Sequence, residues 1–203
     1  MVGTITPVVH GLTHLGTWYR IIGVYALSQV AGAALTGLAA AGTGVLVWAL
    51  CPWEATPFVM LLVLLAGIGA LQDMQLLPLR LPSRCWQVPQ HWQRFSLPIM
   101  AACYGFGIGL GVLTRIPFAS FYVVLVACAG LASWPLGVGL LALYGAVRAG
   151  TVAMVARGQA SAQDPHARLD TLVRLTPFIG YLDGLVLAFA AGVLLGQLLV
   201  FHR

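Results

Sequence analysis

The chain has 203 residues, of which 60% are hydrophobic and only 7% are charged, against roughly 25% charged in a soluble domain. Ten basic and five acidic side chains cannot cover a water-facing surface of this size, and mean hydropathy is +0.94. These figures exclude a soluble enzyme, a disordered chain and a nucleic-acid binder, and they leave an all-α, polytopic integral membrane helix bundle with the lipid bilayer as its solvent.

In chain order, the stretch up to Tyr19 is mixed and has no basic n-region before a much longer apolar run, so insertion is expected to use the first spanning helix. His10 and His14 are four apart and share one face of an N-terminal helix, an interfacial pair rather than a metal site. Five apolar runs follow, at 21–50, 58–79, 97–132, 136–156 and 178–201. Each reaches the ~20 residues that cross a ~30 Å hydrocarbon layer. Helices are expected, because lipid offers no partner to an open backbone group. Pro52 and Pro57 bracket one turn, Ser133-Trp134-Pro135 makes another, and 80–94 and 157–174 read as polar loops.

All ten basic residues are Arg. Three lie in 80–94 and four in 148–174, whereas the turns at 51–57 and 133–135 have none. Arginine marks the cytoplasmic side. The expected topology has about five crossings of the cytoplasmic membrane, with the N-terminus inside and the C-terminus outside. Trp18, Trp86 and Trp92 then fall at inner ends and Trp48, Trp53 and Trp134 at outer ends, as an interfacial belt.

Two runs are too long for one straight crossing. Thirty helical residues (21–50) extend about 45 Å and thirty-six (97–132) about 54 Å. Broken or re-entrant helices are expected there, at Gly37, Gly42 and Gly44 in the first and at Thr114-Arg115-Ile116-Pro117 in the third; 97–132 could also fold as a hairpin. One transmembrane domain is expected over 1–203. Within it, residues 18–94 and 95–174 show the same order of long Gly-rich run, outer turn, plain run and Arg-rich segment, a weak internal repeat followed by the last helix at 178–201.

The chemistry-bearing residues are few. Arg115 lies mid-run with Thr114 and Pro117 beside it, and a cation at the bilayer centre costs at least ~2.5 kcal/mol. It reads either as an anion-binding or gating site or as the interfacial tip of a hairpin. Gly105, Gly107, Gly109 and Gly111 form overlapping small-xxx-small pairs suited to close helix packing. Asp73 and Asp183 are intramembrane carboxylates near helix ends, open to hydration, to pairing with Arg148 or Arg174, or to proton relay. Ser28, Gln29 and Gln197 are expected to make interhelical hydrogen bonds. Cys51, Cys85, Cys103 and Cys128 form no CxxC and read as reduced packing residues. No metal-binding spacing, haem ligand pair or nucleotide-binding motif is present, so no cofactor and no catalytic residue is assigned.

The segment from Arg84-Cys85-Trp86-Gln87-Val88-Pro89 through Arg115-Ile116-Pro117 resembles the DsbD/CcdA transmembrane family and the wider LysE-like exporters. In these a Gly-rich helix breaks at a proline in mid-membrane, as 105–111 and 114–117 do here. The resemblance covers about 20–157. It implies a transporter-like fold moving a small solute or anion. Members of the CcdA type carry a reactive cysteine beside the broken-helix proline, whereas Arg115-Ile116-Pro117-Phe118 has none. A thiol-redox carrier is thereby disfavoured, and the family's cysteine roles pass to no residue here. The competing expectation is a non-catalytic subunit packed against other membrane subunits or further copies of itself.

Overall fold

The structure, a computed structural model, describes residues 15–51, 55–77, 95–111, 119–160 and 165–201. These form six helices: α1 (Leu15–Leu50), α2 (Ala55–Asp73), α3 (Leu97–Gly109), α4 (Ser120–Leu131), α5 (Trp134–Ala160) and α6 (Pro165–Phe201). Four of them, α1, α2, α5 and α6, are long and apolar enough to cross a membrane. Helices α3 and α4 have 13 and 12 residues, which gives each about 20 Å or less at 1.5 Å per residue.

Several boundaries depart from the sequence reading. The first run is one uninterrupted 36-residue helix, so Gly37, Gly42 and Gly44 do not break it. In an apolar solvent the i→i−4 bonds have no competitor, and glycine alone does not open them. The second run ends as helix at Asp73, because the chain turns at Met74–Gln75, where Gln75 takes φ 60°. The third run divides into α3 and α4. Its first half closes at Gly111, whose φ of 72° favours a residue without a side chain. The expected polar loop at 157–174 is largely helical: α5 continues to Ala160, and α6 starts at Pro165. Proline suits a first helical position, where its missing N–H would have no partner.

Among the described side chains the four membrane-length spans present no polar face. Leu27 and Phe189 are 73% and 76% exposed, whereas the buried set is rich in alanine and glycine, including Ala33, Ala41, Ala66, Ala70, Gly105 and Gly109. Small residues inside and large aliphatic ones outside are the pattern of helices packed by close backbone approach in lipid.

The chain forms two units. Unit one comprises Met1–Leu38, Arg84–Arg115 and Val138–Asp170; unit two comprises Ala39–Ser83, Ile116–Gly137 and Thr171–Arg203. Both take part of α1, so they do not coincide with the sequence repeat at 18–94 and 95–174. In unit one the stripe Trp18, Ile21, Tyr25, Gln29 and Ala33 is buried along α1. Ile21 and Tyr25 pack with Met100, Ala101, Tyr104 and Ile108 of α3, and Val152 of α5 joins them. In unit two Ala70 of α2, Ala119 before α4 and Leu187 of α6 form a core with Val123 against it.

Candidate functional site

Unit two brings two acidic side chains together. Asp73 is the last residue of α2 and is only 7% exposed. Its Oδ2 accepts the backbone N–H of Ala119 at 2.9 Å. Ala119 is the N-cap of α4, so the carboxylate sits where helix amides are unpaired and the helix dipole is positive. At the end of its own helix the same charge would be unfavourable. The start of α4 is therefore what makes a buried acid tolerable there.

The second acid is Asp183 of α6, whose carboxyl lies close enough to that of Asp73 for the two to interact. Two carboxyl groups that share a hydrogen bond need one proton between them, since ionised carboxylates only accept. Asp183 Oδ2 is buried, and no N–H or O–H of the described residues donates to it. Glycine makes the approach possible. A Cβ on Gly184 would stand 2.6 Å from Met74 Cγ and 2.9 Å from the Ala70 carbonyl oxygen. A Cβ on Gly69 would stand 2.9 Å from Ala119 Cβ and 3.3 Å from Leu187 Cδ1. Bare backbone at these two positions lets α2, α4 and α6 converge and sets Asp183 beside Asp73.

The other end of unit two is apolar. Trp48 Nε1 donates to the Gly130 carbonyl oxygen at 3.0 Å, Gly44 lies against the Ala129 backbone, and the Phe58 ring lies against Gly130. A cavity of about 190 Å³ opens here, lined by Thr43, Val47, Trp48 and Cys51 of the first helix region, Phe58 and Leu61 of α2, and Val126 of α4. Cys51 is a free, exposed thiol, and Cys128 is free and buried.

Unit one holds a different polar group. Gln29 is 0% exposed, yet neither Oε1 nor Nε2 has a hydrogen-bond partner among the described residues. The expected interhelical hydrogen bond is not made, because glycine occupies the nearest positions on the neighbouring helices. Gly105 and Gly109 of α3 lie against the backbone of Tyr25 and Gln29, and Gly145 of α5 against Gln29 and Ala33. Three turns toward the N-terminus, Trp18 is 2% exposed, and its Nε1 also has no partner among the described residues. It is a core residue of this unit and not the interfacial anchor that its position in the sequence suggests. Arg148 of α5 is close enough to Tyr25 to interact electrostatically.

Of the remaining sequence candidates, Arg115, Thr114 and Pro117 lie outside the described residues, as do Cys85, His10, His14, Trp53, Trp86 and Trp92. Gly107 is buried within α3, and Gly111 ends the turn that follows it. Asp73 lies beside Asp183 and accepts the Ala119 amide, and the side chain of Arg174 lies outside the described residues. Sequence reasoning named both acids but not their partnership, nor the Ala119 amide. The available signal was Gly184 next to Asp183, a small residue beside a costly charge. Among the described residues no group of three or more His, Cys, Asp or Glu side chains is placed to hold a metal ion. Comparison with protein-family models, with curated proteins and with solved structures found no match.

Proposed function

We propose that this integral membrane protein is a carrier that moves a small solute across the bilayer, with Asp73 and Asp183 taking up and returning a proton during the cycle. The observation that carries this reading is the carboxyl pair itself. Each ionisable group placed in the apolar layer costs at least ~2.5 kcal/mol, and a chain with five acidic residues in 203 sets two of them side by side. Packing alone has no use for such a pair, since aliphatic residues of similar size would fill the space without the cost. A shared proton satisfies both carboxyls at once, and its loss leaves two like charges in contact.

In this reading the arginine-rich segments 80–94 and 148–174 face the cytoplasm, the run 97–132 counts as one of five crossings, and the N- and C-termini lie inside and outside. The pair then stands at the cytoplasmic end of α2, midway along α6 and in the first two turns of its apolar span Phe178–Gln197. Arg115, flanked by Thr114 and Pro117 between α3 and α4, would meet an anionic group of the solute.

The test is solute-dependent proton movement. The purified protein is reconstituted in vesicles loaded with a pH-sensitive dye, and acetamide, glycerol, lactate and chloride are added outside in turn. At least one solute is expected to move protons through the wild type and through neither Asp73→Asn nor Asp183→Asn. No proton movement with any solute, together with purification at fixed stoichiometry with larger membrane proteins, would replace this reading with that of a structural subunit.

A further inference from the structure

The interior of unit one contains a hydrogen-bonding group that the described protein leaves unsatisfied. Gln29 is fully enclosed, and both ends of its carboxamide are unpaired. A buried polar group in this state destabilises the fold, and an aliphatic residue at the same place would not. Its surroundings explain why no side chain meets it. The positions pressed against the α1 backbone there are Gly105 and Gly109 of α3 and Gly145 of α5, and glycine has no side chain to offer. The helix carbonyls around it already accept the N–H groups four residues on. No described residue supplies that partner, which leaves a bound group to meet the amide.

The amide also states what that partner must be. A carboxamide presents one acceptor oxygen and two N–H donors. A bare anion would occupy the donors and leave Oε1 orphaned, whereas a metal cation would occupy Oε1 and leave the donors. A group with a donor and an acceptor side by side meets both ends. The adjoining buried side chains Tyr25, Tyr104 and Ile108 are uncharged in their ordinary forms, and the Arg148 guanidinium interacts with Tyr25, so a group that needs no counter-ion suits the site.

We propose that Gln29 is the solute-binding contact of this protein and that it recognises a neutral group able to donate and accept at once, such as a primary amide, a protonated carboxyl or a hydroxyl. The assignment of that group to a transported solute rests on the carrier reading above.

The experiment uses the full chain in lipid nanodiscs, labelled with ¹⁵N-glutamine. The Gln29 side-chain amide signal is identified by its loss in Gln29→Met, a variant of similar volume that removes the unpaired group. Acetamide, N,N-dimethylacetamide and sodium chloride are the probes. Acetamide is expected to shift the Gln29 signal saturably. Dimethylacetamide, which accepts but does not donate, and chloride, which only accepts, should shift it at least ten times more weakly at equal concentration. A Gln29 signal that ignores acetamide, or that moves equally with dimethylacetamide, overturns the proposal, and this titration is read on the wild type whatever the variant's stability. Vesicle flux separates the two levels. Acetamide binding at Gln29 without any solute flux upholds the site and removes the carrier reading; flux of acetamide with an unmoved Gln29 signal upholds the carrier reading and removes the site.

Discussion

Gly109→Ala tests whether backbone contact between α3 and α1 holds unit one together. A Cβ at Gly109 would come up against the Gln29 carbonyl oxygen and would stand 2.9 Å from Ala33 N and 3.0 Å from Gln29 C. All three atoms belong to the α1 backbone, so no flexible side chain can yield. Ordinary van der Waals spacing of ~3.5 Å or more requires α3 to move outward by roughly 1 Å. Such a gap forfeits about a quarter to a half of each dispersion contact along the interface, including those of Gly105 one turn away. Overpacking of this kind costs about 1–3 kcal/mol, equivalent to about 2–12 °C in Tm for a chain of this length. The control is Gly139→Ala in α5, where a Cβ meets nothing within 4 Å. It should be neutral or gain about 0.5–1 kcal/mol, the ordinary advantage of alanine in a helix. Thermal unfolding of both variants in the same detergent decides the matter. Equal Tm values for Gly109→Ala and wild type, or greater damage from Gly139→Ala, would refute the close-approach argument.

Three further outcomes follow from the same geometry. Gly184→Ala should drive α6 away from Met74 and Ala70 and part Asp183 from Asp73, so a carboxyl infrared band that responds jointly to Asp73→Asn and Asp183→Asn in the wild type should lose that coupling; persistence of the coupling would contradict the role given to Gly184. Gln29→Met should raise stability by about 1–3 kcal/mol, because it removes an unsatisfied buried amide, and a lower denaturant midpoint would show that the amide is bonded within the protein. Cys51 is exposed and Cys128 fully buried, so peptide mapping after brief maleimide treatment should find Cys51 modified at least tenfold faster; equal rates would mean that α4 does not pack as described.

The class of this protein is legible in its composition because a chain with so few charges has only lipid as a workable solvent. The runs are legible too, although 97–132 holds two helices, α3 and α4. The helix ends are less so. Hydropathy follows lipid contact and not hydrogen bonding, so it extends α2 past Asp73 and stops short of the polar first turns of α6. The site is harder still. Asp73 and Asp183 are 110 positions apart, and helices that are apolar on every side carry no periodic signal of which face meets which neighbour. Trp18 illustrates the same difficulty: an aromatic residue near a helix end suits the interface as well as the core, and only the packing of α3 and α5 onto α1 decides between them. The glycines are the exception. Gly105 and Gly109, four apart, mark a contact face before any partner is known, and the partner they meet is the segment around Gln29.

The central claim is that lipid surrounds this bundle, and extraction tests it most directly. Membranes from cells producing the full chain are washed with alkaline carbonate and then with urea, and the protein is followed in pellet and supernatant. The account predicts that it stays in the pellet through both washes and is released only by detergent. Recovery in the carbonate supernatant as a folded, detergent-free species would contradict it.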